Sequence, residues 1–265
     1  MAIVETQALT RRFGDLVAAD HVTVSVEAGE VFGLLGPNGA GKSTLIKMLT
    51  TILPPTSGSA TIKGYDIVRQ AGEVRRVIGY VPQLLSADGT LTGYENLLVY
   101  AELYDVPRNE LKTRISEALD FMGLSGAADR MVREYSGGMI RRLEIGQSTL
   151  HRPSVLFLDE PTIGLDPIAR SAVWEHIKDL RSRYGMTIVL TTHLMDEADS
   201  LSDRVAIMTL GKVAAVGKPA DLKASIGKEG ATLDDVFVHY AGGQPETEGG
   251  YREAARTRRV ARRLG

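Results

Sequence analysis

The run Gly36-Pro37-Asn38-Gly39-Ala40-Gly41-Lys42-Ser43-Thr44 follows the pattern G-x-x-x-x-G-K-[S/T] of a phosphate-binding P-loop. A match of this length needs context, and both flanks supply it. Val31-Phe32-Gly33-Leu34-Leu35 before it is an apolar run of strand length, and Thr44-Leu45-Ile46-Lys47-Met48-Leu49 after it carries apolar residues at helical spacing. Strand, glycine loop, helix is the order the chemistry requires. Glycines let the backbone turn successive N–H groups toward phosphate oxygens, and the helix N-terminus adds partial positive charge. Lys42 is expected to reach the β- and γ-phosphates, and the Ser43 hydroxyl to ligate Mg²⁺. The pattern implies a bound nucleoside triphosphate.

At 265 residues the chain has room for one large α/β domain with a small appendage. It contains no cysteine, which excludes a disulfide framework or thiolate metal site and fits a reducing compartment. The longest apolar runs, such as Val155-Leu156-Phe157-Leu158, fall far below the roughly 18 residues that span a bilayer. Met1-Ala2-Ile3-Val4-Glu5 lacks the basic region and apolar core of a signal peptide, so membrane contact is expected only through a partner. The formal charge of −2 hides an asymmetry: residues 251–265 carry six arginines against one glutamate, leaving −7 on the other 250 residues. An acidic body argues against a nucleic-acid partner.

Strand-like patterns occupy Ile3–Thr6, Val22–Val26 and the apolar run before the P-loop. Between the first two, Phe13 precedes the turn residue Gly14; its ring suits adenine stacking or ordinary packing equally well. Pro54-Pro55-Thr56-Ser57-Gly58 reads as a turn, and Ile78–Val81 as a strand leading into Pro82-Gln83. Thr92-Gly93-Tyr94-Glu95 is a capping box ahead of a helical pattern, and a second helix carries Leu111, Ile115, Leu119 and Met122. A further helix follows Tyr135-Ser136-Gly137-Gly138-Met139. The strand Val155–Leu158, a helix opened by Asp166-Pro167, the strand Thr187–Thr191 and the strand Val205–Met208 complete the pattern. Strands alternating with helices predict an α/β fold with a mainly parallel core sheet, an N-terminal antiparallel β subdomain and an inserted α-helical subdomain. In such sheets ligands collect at the carboxyl ends of strands, where the P-loop, Asp159 and His193 all fall.

Leu158-Asp159-Glu160 ends an apolar strand in two carboxylates, which burial penalises unless cations or donors meet them. Downstream of a P-loop they suggest two roles: Asp159 on Mg²⁺, directly or through water, and Glu160 on the attacking water.

Taken together, Gly36–Thr44, Gln83, Ser136-Gly137-Gly138, Leu158-Asp159-Glu160-Pro161-Thr162, Gly164-Leu165-Asp166 and His193 stand in the order found in nucleotide-binding domains of ABC transporters. The chain resembles that family over roughly residues 3–220. The resemblance implies two subunits sandwiching two ATP molecules, each between the P-loop of one subunit and the signature loop of the other. It also implies a transmembrane permease as partner and a cytoplasmic, peripheral place on the inner face of the cell membrane. By the same resemblance Phe13 stacks on adenine, Gln83 senses the γ-phosphate and Mg²⁺, and Ser136, Gly137 and Gly138 complete the partner's site. Asp166 couples the two sites, and His193 contacts the γ-phosphate.

The family's signature commonly reads Leu-Ser-Gly-Gly-Gln, whereas Tyr135 and Met139 stand at its ends here. Met139 cannot supply the reciprocal half of a capping box. Ser136-Gly137-Gly138-Met139 followed by Ile140-Arg141-Arg142, and the block Ala231–Phe237, look like the daunorubicin-resistance type of drug-exporter ATPase. The division expected is an ATPase domain over 1–225 with a helical subdomain near 84–150, a short helical extension over 226–241, and a flexible basic tail over 242–265. A soluble ATPase acting on ribosomes or DNA, and a non-hydrolysing regulatory module, stand as the alternatives.

Overall fold

The computed structural model describes residues 1–241. In chain order they form β1 (Ala2–Phe13), β2 (Leu16–Val22), β3 (Ser25–Glu27), β4 (Val31–Leu35), α1 (Lys42–Leu49), β5 (Ser57–Ile62), β6 (Tyr65–Asp66), α2 (Ala71–Val77) and β7 (Ile78–Val81). Next come α3 (Gly93–Leu103), α4 (Leu111–Phe121), α5 (Gly137–Thr149), β8 (Val155–Asp159), α6 (Pro167–Tyr184), β9 (Thr187–Thr192), α7 (Met195–Leu201), β10 (Arg204–Thr209), β11 (Lys212–Gly217), α8 (Pro219–Ser225) and α9 (Leu233–Ala241).

Every residue of β4, β8 and β9 is buried, as continuous apolar runs require when helices or a second sheet cover both faces. These strands centre a six-stranded sheet of order β11-β10-β4-β9-β8-β7, parallel except at the β10–β11 edge. The period of two along β8 splits its side chains between two cores. Leu156 and Leu158 pack with the helices α3 to α6, while Val155 and Phe157 pack with α1 and the five-stranded antiparallel sheet of β1, β2, β3, β5 and β6. The helical block therefore shares one core with a face of the parallel sheet. A third core joins Leu35, Val205 and Ile207 to Leu222 of α8 and Leu233 and Val236 of α9. Among the described residues no helix is long and apolar enough to cross a membrane.

Several local signals act as their chemistry predicts. Thr92 caps α3 with both halves of the capping box formed, and Asp166 caps α6 through the amides of Ile168 and Ala169, with Pro167 at the first position. Other segments depart from the sequence reading. Val22–Val26 is not one strand: the Thr6 hydroxyl donates to the Val22 carbonyl and accepts from the Val24 amide (3.0 and 2.9 Å), interrupting the ladder between β2 and β3. Ser57 and Gly58, read as a turn, begin β5, which pairs with β1 from Ser57 to Ile62. The edge strand β11 and the helices α2, α7 and α8 are additions. The arginine-rich segment over 251–265 lies outside the described residues.

Candidate functional site

Four adjacent parallel strands deliver the predicted residues to one edge. β4 runs into Gly36, β9 into His193, β8 ends at Asp159, and β7 leads to Gln83 two residues beyond Val81. The P-loop is fitted to its surroundings by missing side chains. A Cβ on Gly36 would lie 2.3 Å from the Met208 carbonyl, and one on Gly41 2.3 Å from that of Ala18. The Gly211 amide donates to the Ala40 carbonyl (3.0 Å), closing the loop against the end of β10.

Lys42 is 4% exposed, so its ammonium depends on protein partners. It donates to the carbonyls of Gly36 (2.6 Å) and Pro37 (3.2 Å) and lies 3.1 Å from Glu160 Oε1. The other carboxylate oxygen, Oε2, lies 2.7 Å from His193 Nδ1. Glu160 reaches both partners from a left-handed backbone, φ 52°, which costs a non-glycine residue about 1–3 kcal/mol. Its amide is held by Thr191, donating to Oγ1 (2.9 Å) and to the carbonyl (3.2 Å).

Asp159 Oδ1 accepts from Ser43 Oγ (3.0 Å) and from Thr191 Oγ1 (2.6 Å). Burial, reinforced by the Asp159 charge, pushes the Tyr80 phenol up to about 12, so it stays protonated beside that carboxylate. Ser43 and Asp159 are hard oxygen donors side by side. That pair fits Mg²⁺, which takes one or two protein ligands together with phosphates and water.

Phe13 ends β1 at a turn and is 46% exposed, with the Arg11 guanidinium 4.6 Å from the ring centroid. Its partner strand β2 carries Ala18, which abuts the P-loop. Gln83 is positioned through its backbone, the carbonyl accepting from Arg141 of α5 (2.8 Å). Burial lowers the Arg141 pKa, opposed by the charges of Glu144 and Asp159.

Ser136, Gly137, Gly138 and Asp166 form a second, separate group. Ser136 caps α5, accepting from the Met139 amide (3.3 Å), and Gly138 allows α5 to sit on α6, where a Cβ would come 2.8 Å from that of Ala169. Ser136, Gly137 and Asp166 are exposed, and among the described residues no hydrogen bond or ion pair ties them to Lys42, Asp159 or Glu160. Tyr135 turns inward, its hydroxyl donating to the Ala127 carbonyl (2.6 Å), and Met139 packs against the helical core.

Sequence reasoning missed three supports. Thr191 ties Asp159 to Glu160, and the buried Arg141 and Glu144 hold the Gln83 loop. Glu197 accepts from Thr162 (2.7 Å) and Trp174 (2.9 Å), linking the segment after Glu160 to the helix after His193. None of the three carried a distinct signal in the sequence, because each role depends on which residues the fold brings together.

The family model described as ABC transporter matches residues 19–163. The chain belongs to the ABC transporter family. It is 44% identical to the daunorubicin/doxorubicin resistance ATP-binding protein DrrA of Streptomyces peucetius, over 84% of this chain and 68% of that one. A solved ATP-binding subunit of an ABC transporter superposes with a TM-score of 0.80 at 30% identity, covering 90% of this chain and 99% of the other. An ATP-binding cassette solved as a dimer in a post-hydrolysis state with ADP and Pi gives 0.72 at 25% identity, over 81% and 98% of the two chains. Membership in this ABC family implies ATP binding and hydrolysis, and the fold is the P-loop α/β fold of these ATPases.

Proposed function

We propose that this chain is the ATPase subunit of an ABC exporter, closing as a dimer on two ATP molecules to drive a separate membrane permease. The observation that carries the reading is the linked set Lys42–Glu160–His193 and Ser43–Asp159 at the carboxyl edge of the parallel sheet. The triphosphate offers Lys42 a stronger anionic partner than Glu160. As the ammonium turns to the β- and γ-phosphates, Glu160 is freed to orient water and accept its proton. The water oxygen attacks the γ-phosphorus, and the bond to the β–γ bridging oxygen breaks, giving ADP and phosphate. His193 holds the Glu160 carboxylate in place and contacts the γ-phosphate. Ser43 and Asp159, with help from Gln83, would hold Mg²⁺, which would supply neutralisation of phosphate charge when bound.

The second group completes the site of the other subunit. Ser136, Gly137 and Gly138 present the N-terminus of α5, a natural anion site, and Asp166 lies beside them. The exposed apolar side chains Ile163 and Ile168 on the same rim suit burial between subunits. The relatives' names point to drugs or other hydrophobic compounds as cargo, with the permease forming the path through the membrane. The chain then works at the cytoplasmic face, with an ATPase domain over 1–225, a packed extension over 226–241 and a basic tail after it.

The test is steady-state ATP hydrolysis by the purified chain and its Glu160→Gln variant, with identification of the proteins that co-purify. A loss of about a hundredfold in the variant with ATP binding retained supports the assignment of Glu160. An equal rate in both removes it. Co-purification with ribosomes or DNA in place of a membrane protein overturns the transport reading.

A further inference from the structure

The helix α5 buries a polar face. Arg141, Glu144, Gln147 and Ser148 recur along one side of it, each 4% exposed or less. All of them bind the segment from Tyr80 to Asn96. Arg141 donates to the carbonyls of Pro82 (2.7 Å) and Gln83 (2.8 Å) and to Glu144 (3.0 Å). Glu144 accepts in turn from the Ser86 amide, the Ser86 hydroxyl (3.1 Å) and the Ala87 amide (3.3 Å). Ser148 donates to the Tyr80 carbonyl (3.0 Å), and Gln147 to that of Asn96 (3.3 Å). The loop around Gln83 is thus gripped on both sides by one ion pair.

A buried pair of this kind adds little net stability over apolar residues of the same size, because desolvation offsets the attraction. What it supplies is a fixed geometry. Arg141 lies five residues along α5 from Ser136, about 7.5 Å of helix rise. The loop carrying Gln83 and the start of α5 are therefore joined through a short, rigid path.

We propose that Arg141 and Glu144 form a latch that makes the Gln83 loop and the Ser136–Gly138 loop one mechanical unit. Contact of Gln83 with the γ-phosphate in one site then positions the loop that this subunit presents to the other site. Both are positioning residues. The proposal rests on the two-site dimer described above.

The experiment compares, in the full chain, Glu160→Gln with the same chain carrying Arg141→Met and Glu144→Leu. Removing both charges together leaves no unpaired buried ion. Three quantities are read: the affinity for a fluorescent ATP analogue at monomer concentrations, the melting temperature, and the ATP concentration that half-forms the dimer in the presence of Mg²⁺. The latch predicts monomer nucleotide affinity unchanged within about twofold, since Lys42, Ser43 and Asp159 keep their own contacts, none of which is to Arg141 or Glu144. It predicts that the ATP concentration for half-dimerisation rises about tenfold, the size of an ordinary coupling between sites.

Equal dimerisation in both chains overturns the latch alone. Loss of monomer affinity in proportion to loss of dimer also overturns it, because the pair would then act only on its own site. A Glu160→Gln parent that binds ATP but stays monomeric overturns the two-site reading and the latch with it. If the double substitution melts well below its parent, Arg141→Lys in the same background decides. Lysine keeps the charge and loses the planar fork. The half-dimerisation concentration should then rise about threefold, the worth of one ordinary hydrogen bond, and no rise overturns the proposal.

Discussion

Thr191 shows how much one hydroxyl can organise. It donates to Asp159 and accepts from the Glu160 amide, so it sets at once the carboxylate proposed to bind the cation and the one proposed to orient water. Replacing Thr191 by valine keeps the shape and removes both bonds. We expect hydrolysis to fall about ten- to a hundredfold, as small displacements of reacting groups do. Losing the two buried hydrogen bonds of the hydroxyl, one of them to a carboxylate, should cost about 1–3 kcal/mol, measured by denaturant unfolding. Serine at the same position should keep most of the rate, and a valine variant of full activity would contradict the role. The two carboxylates were legible in the sequence because an apolar strand ending in Asp159-Glu160 is chemically conspicuous. Thr191 was not, because threonine is an ordinary strand former and its role arises only from the β8–β9 register that sets it opposite Asp159.

At the scale of elements, the departures from the usual signature acquire a physical account on the Tyr135 side. Tyr135 anchors the loop before α5 to the turn at Ala127, and its hydroxyl sits where a Cβ on Gly93 would clash at 2.2 Å. Tyr135→Phe should lower stability by about 1 kcal/mol, the worth of one hydrogen bond, since the Ala127 carbonyl keeps its bond from the Arg130 amide (3.0 Å), while leaving the nucleotide affinity of the monomer unchanged. Paired urea unfolding and nucleotide titration check both halves. Thr92→Ala should cost α3 about 1 kcal/mol by undoing its capping box. Helices with capping signals or periodic apolar faces were legible along the chain, including α3, α4 and α6. The inner face of α5 was not: periodicity reads polar residues as solvent-facing, and here they face a loop distant in sequence. The break between β2 and β3 was hidden for a related reason, since it depends on the Thr6 side chain reaching across from β1.

Over the whole molecule the parallel sheet followed from alternating strands and helices, while its antiparallel edge at β11 carried no comparable apolar signal. Two histidines couple this fold to pH. Burial lowers the pKa of His151, with the Ile78 carbonyl opposing, and burial followed by the Arg142 charge lowers that of His176. Both stay neutral in the folded chain where the unfolded chain takes up protons. Stability therefore rises with pH below the ordinary value of 6.5 and is lost progressively as pH falls through it. Melting temperatures over this range check the sign, and His151→Asn should flatten part of the slope.

The most direct test of the account is the mass of the Glu160→Gln chain by light scattering, with and without ATP and Mg²⁺. In the proposed function Lys42 to His193 and Ser136 to Asp166 are two half-sites of each chain, so that two chains are needed to enclose two nucleotides. The account predicts the monomer mass without nucleotide and twice that mass with it. A chain that binds ATP and Mg²⁺ but keeps the monomer mass would contradict it.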